Sequence, residues 1–250
     1  MPFSGFLWFL LMLVPLVFLQ RLLHREIQAV LLILTRNVKL TIGLFSVFFF
    51  PGVALHELSH FLMAKLLRVQ TGRVSLFPKA LPNGRLQMGY VETARTDVFR
   101  DSLIGLAPLI AGSLFVAYVG NRLELNPLLD YLRNGQLDNF YNGLKNLPAA
   151  NDFYVWLYLA FAVSSTMLPS ESDSHAWLPL GIWVAGLFAL AAFAGAGSWM
   201  LTNLTPPLNI FLNAVAMLFG ASVILHVVFL LPTYIAHRFV SKITGVDVRS

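Results

Sequence analysis

The chain has 250 residues, 57% hydrophobic and only 12% charged, with a formal net charge of +5 and a mean hydropathy of +0.72. So few polar residues cannot cover a water-soluble domain of this length, so the composition excludes an ordinary soluble protein and indicates an integral membrane one. The basic residues are scattered rather than gathered in runs, which argues against nucleic-acid binding, and the absence of cysteine leaves His, Asp, Glu or Asn to hold any metal.

A spanning helix needs about 20 mostly apolar residues. The sequence predicts six: Phe3–Leu19, Leu40–Leu67, Ser102–Val119, Phe153–Leu168, Trp177–Trp199 and Leu208–Leu231. The expected fold class is an all-α polytopic membrane protein of about six transmembrane helices, with a small membrane-associated β-hairpin. The first run has no basic residue before it and no small-residue cleavage site after it, so it reads as a retained membrane helix. The next stretch, RLLHREIQAVLLILTRNVK, carries charges at both ends of a brief apolar patch and reads as a separate interfacial helix. Pro51-Gly52 predicts a kink in the second span.

Residues 69–98 differ in kind. Two β-leaning runs, Arg73–Phe77 and Arg85–Thr93, flank a turn-rich Pro82-Asn83-Gly84 and predict a hairpin near the membrane surface. Residues 120–152 form a second polar insertion, whose Leu, Tyr and Phe spacing predicts one or two short surface helices. Asn209 and Asn213 suggest interhelical hydrogen bonds, and Gly186, Gly195 and Gly197 suggest close helix packing. His226, alone in the sixth span, reads as a hydrogen-bonded core histidine. The Lys/Arg bias places the hairpin, the Pro169–Ala176 loop and the C-terminus together on the cytoplasmic side. Arg21, Arg25, Arg36 and Lys39 then fall on the opposite face, against the rule.

The chemistry concentrates in the second span, PGVALHELSHFLMAKLLR at 51–68. HELSH is a His-Glu-x-x-His motif. Residues four apart share one helix face, so His56 and His60 can present imidazole nitrogens to a single ion. A catalytic zinc keeps one position open for water, and Glu57 is placed to act as general base toward that water. A charged side chain at mid-bilayer costs about 2.5–3.5 kcal/mol on insertion scales, a cost usually associated with function. An ideal helix rises about 24 Å from Leu40 to His56 but only about 7.5 Å from His60 to Lys65, which puts the motif near one membrane face. A third ligand is sought in MLPSESDSHAWLP at 167–179, where Asp173 is preferred, with His175 and Glu171 behind it. Pro169 ends the helix there and leaves a polar turn that membrane depth tolerates only against protein or a water-filled cavity.

At these residues the chain resembles the site-2 protease family of intramembrane zinc metalloproteases. Three features carry the likeness: HELSH within a transmembrane helix, the β-hairpin after it, and an acidic residue about a hundred positions later. It covers residues 40–180 as a catalytic core, with 1–39 as N-terminal helices and 181–250 as C-terminal helices and a short tail. The resemblance implies a zinc endopeptidase that cuts a transmembrane protein or peptide in or near its membrane segment, within the lipid bilayer. The metal set it implies is His56, His60 and Asp173, with Glu57 catalytic. Two departures stand out. The family's Asp precedes Gly, whereas Asp173 precedes Ser174, and the intervening-helix Asn of many members is missing from GLAPLIAGS at 105–113. The alternative is a metal-binding transporter or channel, which would require further acids or histidines on facing helices. The third, fifth and sixth spans offer almost none beyond His226.

Overall fold

The computed structural model describes residues 4–80, 86–246 and 248. The expected Pro82-Asn83-Gly84 turn and the start of the Arg85–Thr93 run lie outside the described residues, as does Phe3. The architecture is helical, with two small strand pairs, and suits a polytopic membrane protein. Among the described residues, four helices are long and apolar enough to cross a membrane, or five spans if one bent pair is counted as a unit.

Helix α1 (Ser4–Thr35) is one continuous helix of 32 residues. The expected break between a spanning helix and an interfacial one does not occur. The reason is a partner that runs alongside the whole length: α10 (Thr205–Thr244), 40 residues long. Leu16 and Leu23, seven residues apart on one stripe of α1, are fully buried, as are Phe219, Ser222 and His226 on α10. The opposite stripe of α1 (Leu7, Leu11, Val14, Phe18) is also apolar but exposed. A helix apolar on both faces is suited to lipid. The two helices pack in parallel. The Gly5 amide donates to Asn209 Oδ1 at one end, and Glu26 meets His237 at 2.6 Å further along. Asn209 thus makes the interhelical bond expected of it.

After α1 the chain reverses at Arg36 and Asn37. The Asn37 side chain caps α2 (Val38–Phe48) by accepting from the amides of Lys39 and Leu40. Helix α3 (Phe50–Leu66) follows at a 71° bend. The break falls at Phe49, with Pro51 in the first turn of α3, where its missing N–H costs nothing. Phe45, Phe49 and Val53 bury this corner against Leu23 of α1 and Phe161 and Ala162 of α7 (Phe153–Ser164). Helix α7 has only 12 residues, short of the fourth span expected from Phe153–Leu168.

Strand β1 (Thr71–Ser75) pairs antiparallel with β4 (Tyr90–Thr93), in the register Thr71↔Thr93 and Ser75↔Tyr90. Beyond them β2 (Lys79–Ala80) pairs with β3 (Leu86–Gln87). The expected hairpin therefore forms, in two segments. Helix α4 (Val98–Arg122) begins at Asp97, whose carboxylate accepts from the Arg100 amide. That bond holds the Asp97 carboxyl below its ordinary pKa. Two amphipathic helices, α5 (Leu125–Arg133) and α6 (Leu137–Asn146), fill the second insertion as the residue spacing predicts.

Helices α8 (Trp177–Ala191) and α9 (Gly197–Asn203) are separated by a π-type turn in which Gly195 takes φ 91°. Among the described residues, no atom of another element lies within 4 Å of a Cβ built at Gly186 or Gly195, and only Ala192 approaches Gly197. These glycines serve no helix packing, against expectation. The broken segment brings the chain back to the start of α1. Helix α4 runs in the same sense as α10: Leu109 packs with the Phe219 cluster and Val119 with Leu225. The hairpin, attached at the start of α4, thus lies at the opposite end of the bundle from the C-terminus of α10. The sequence had put them on one side. The parallel packing of α1 with α10 instead puts Arg25, Arg36 and Lys39 toward the end that holds Arg238 and Lys242.

Candidate metal centre

His56 and His60 lie one turn apart on α3, and their Nε2 atoms are 3.2 Å from each other. The loop after α7 brings Asp173 across them. Its Oδ2 stands 3.5 Å from His56 Nε2 and its Oδ1 3.3 Å from His60 Nε2. Among the described residues these three form a group able to hold a metal ion. Tetrahedral zinc, with bonds of about 2.0–2.2 Å to nitrogen and oxygen, sets donor separations of about 3.3–3.6 Å. The two Nε2 atoms at 3.2 Å, each with an Asp173 oxygen within 3.5 Å, stand close to those separations, and no fourth side chain joins the group among the described residues.

The far side of each ring is occupied. His56 Nδ1 meets the Thr166 carbonyl at 2.6 Å, and His60 Nδ1 meets the Ile104 carbonyl at 2.8 Å. A carbonyl only accepts, so each neutral ring carries its proton on Nδ1 and turns the Nε2 lone pair inward. Two lone pairs and a carboxylate directed at one point repel one another unless a cation lies between them. This is the outer-shell pattern of metal-bound histidine.

Asp173 is held by its own loop. The Ser170 amide donates to its Oδ2 at 2.8 Å, and the Asp173 amide donates back to Ser170 Oγ at 3.3 Å. Ser102 Oγ of α4 donates to the Ala176 carbonyl at 3.2 Å. At Gly105 an added Cβ would collide with the Asp173 carbonyl oxygen, so the loop can approach α4 only where there is no side chain. These partners in α4 and the loop were not foreseen from the sequence. The Gly105 in GLAPLIAGS was their one visible trace.

His175 and Glu171 are placed differently. His175 lines the cavity, but both its ring nitrogens are engaged outside the three-donor group: its Nε2 is 2.8 Å from Asp101 Oδ2, and its Nδ1 meets the Ser172 carbonyl at 2.5 Å. Glu171 lines the same cavity but does not join the three-donor group. Glu57 follows His56 on the helix, is only 6% exposed, and has no hydrogen-bond partner among the described residues. It lines a cavity of about 1300 Å³ together with His56, His60 and Asp173. Gln20 and His24 of α1 line it as well.

His226 is fully buried and satisfied. Its Nδ1 meets the Ser222 carbonyl at 2.7 Å and its Nε2 meets Ser165 Oγ at 3.1 Å. It belongs to the packing of α7 on α10. Comparison of the chain with protein-family models, with curated proteins and with solved structures finds no match. The functional reading therefore rests on the residues themselves.

Proposed function

We propose that this protein is an intramembrane zinc metalloprotease of the site-2 protease type, which hydrolyses a peptide bond in or near the transmembrane segment of a membrane-protein substrate. One observation carries the reading: the His56 and His60 Nε2 atoms and the Asp173 carboxylate meet at one point, and Glu57 borders the same cavity. Zinc bound by these three side chains would supply Lewis acidity to the scissile carbonyl and acidify a water in its open position.

The chain's own residues account for the rest. His56 and His60 present lone pairs because Thr166 and Ile104 hold their other nitrogens. Glu57 takes a proton from the attacking water and returns it to the amine nitrogen as the C–N bond breaks. A helical substrate must be unwound before its amide is accessible. The outer edges of β1 and β4 offer backbone groups that can pair with an extended segment.

The test is metal analysis and cleavage of a model transmembrane peptide by the purified protein. Glu57→Gln should keep zinc and lose about 10²–10⁴-fold in cleavage. Asp173→Ala should lose affinity for zinc. Unchanged proteolysis in Glu57→Gln sinks the mechanism, and zinc transport by a variant that never cleaves would favour the transporter reading.

A further inference from the structure

We propose that Pro108 is a positioning residue of the metal centre and acts through the Ile104 carbonyl; this rests on the metal-site reading above. In a regular α-helix the carbonyl of residue 104 accepts the N–H of residue 108. Pro108 has no N–H, and its ring crowds the carbonyl four residues before it. Helix α4 nevertheless continues unbroken from Val98 to Arg122. The proline therefore does not end the helix. It releases one carbonyl from the ladder in its middle.

That carbonyl meets the Nδ1–H of His60 at 2.8 Å. Each group solves the other's problem. A buried carbonyl without a donor is costly in an apolar interior, and His60 is itself only 7% exposed. With Nδ1 committed as donor, the Nε2 lone pair faces Asp173 Oδ1 at 3.3 Å. An N–H at position 108 would recapture the Ile104 carbonyl and leave His60 free to rotate or to change tautomer. The neighbouring Gly105 receives the Asp173 backbone, so a single stretch of α4 fixes two of the three donors.

The experiment compares zinc affinity, by competition with a chelating dye in detergent micelles, for three proteins, with His60→Ala as a control. They are the wild type, Pro108→Ala, and an ester counterpart in which an α-hydroxy acid replaces alanine at 108. Alanine is the best helix former, so Pro108→Ala should fold at least as stably, checked by thermal unfolding. Its zinc affinity should fall about 10–100-fold, the usual effect of losing an outer-shell partner. The ester has alanine's shape but no N–H, and should restore the wild-type constant. Unchanged affinity in Pro108→Ala, or an ester as weak as the alanine variant, overturns the proposal. A wild type that binds zinc but cleaves nothing counts against the protease reading alone. Zinc affinity indifferent to His60→Ala overturns both.

Discussion

Gly89, in the chain between β3 and β4, lies directly over Glu57: a Cβ added there would stand 2.7 Å from Glu57 Cγ and 2.8 Å from its Oε1. The hairpin is therefore part of the cavity that holds the carboxylate, and it reaches it with bare backbone. A branched side chain at 89 must push either the hairpin or Glu57 aside. Gly89→Val should lower cleavage by about 10²-fold, the cost of a catalytic group misplaced by about 1 Å. Zinc affinity should stay at the wild-type value, because none of the three donors touches Gly89. Equal turnover by Gly89→Val and wild type, measured on one transmembrane peptide, would refute this relationship.

The approach of the Asp173 loop to α4 makes a second prediction. Gly105→Ala forces the Asp173 carbonyl away and should weaken zinc binding by about 10–100-fold. His175→Ala should leave zinc binding unchanged, since that ring is paired with Asp101 and is 64% exposed. Calorimetric titration of the two variants separates them. A weakened His175→Ala with an intact Gly105→Ala would mean that the loop carries its ligand at 175.

The parallel packing of α1 and α10 predicts a topology. The chain contains no cysteine, so single cysteines can be introduced without background. Val74→Cys on β1 and Lys242→Cys near the end of α10 should react with a membrane-impermeant maleimide from opposite faces of sealed vesicles. Labelling of both from the same face would contradict the arrangement and restore the one derived from charge counting.

Much of this molecule could be read locally. HELSH identifies itself because helical periodicity guarantees that positions 56 and 60 share a face. The hairpin was legible from β-branched and aromatic residues around a turn, and the two short helices of the second insertion from their apolar spacing. The continuity of α1 was not legible. Arg21, Arg25 and Glu26 interrupt its hydropathy, and only the length of α10 alongside it, with His237 meeting Glu26, explains why the helix does not break there. Gly186 and Gly195 misled for a related reason: a glycine permits close packing but does not supply a neighbour.

The sequence by itself determined the class of environment, the two-histidine helix face and the carboxylate beside it, because composition and 3.6-residue periodicity are properties of neighbouring residues. It preferred Asp173 as the third donor but left His175 and Glu171 open behind it. The tertiary structure decided which of these lies beside the histidines, which backbone carbonyls hold the rings, and which end of the bundle the hairpin occupies. Those outcomes depend on how elements far apart in the chain approach one another. Small features of α4, a missing side chain at Gly105 and a missing N–H at Pro108, govern that approach at the metal centre.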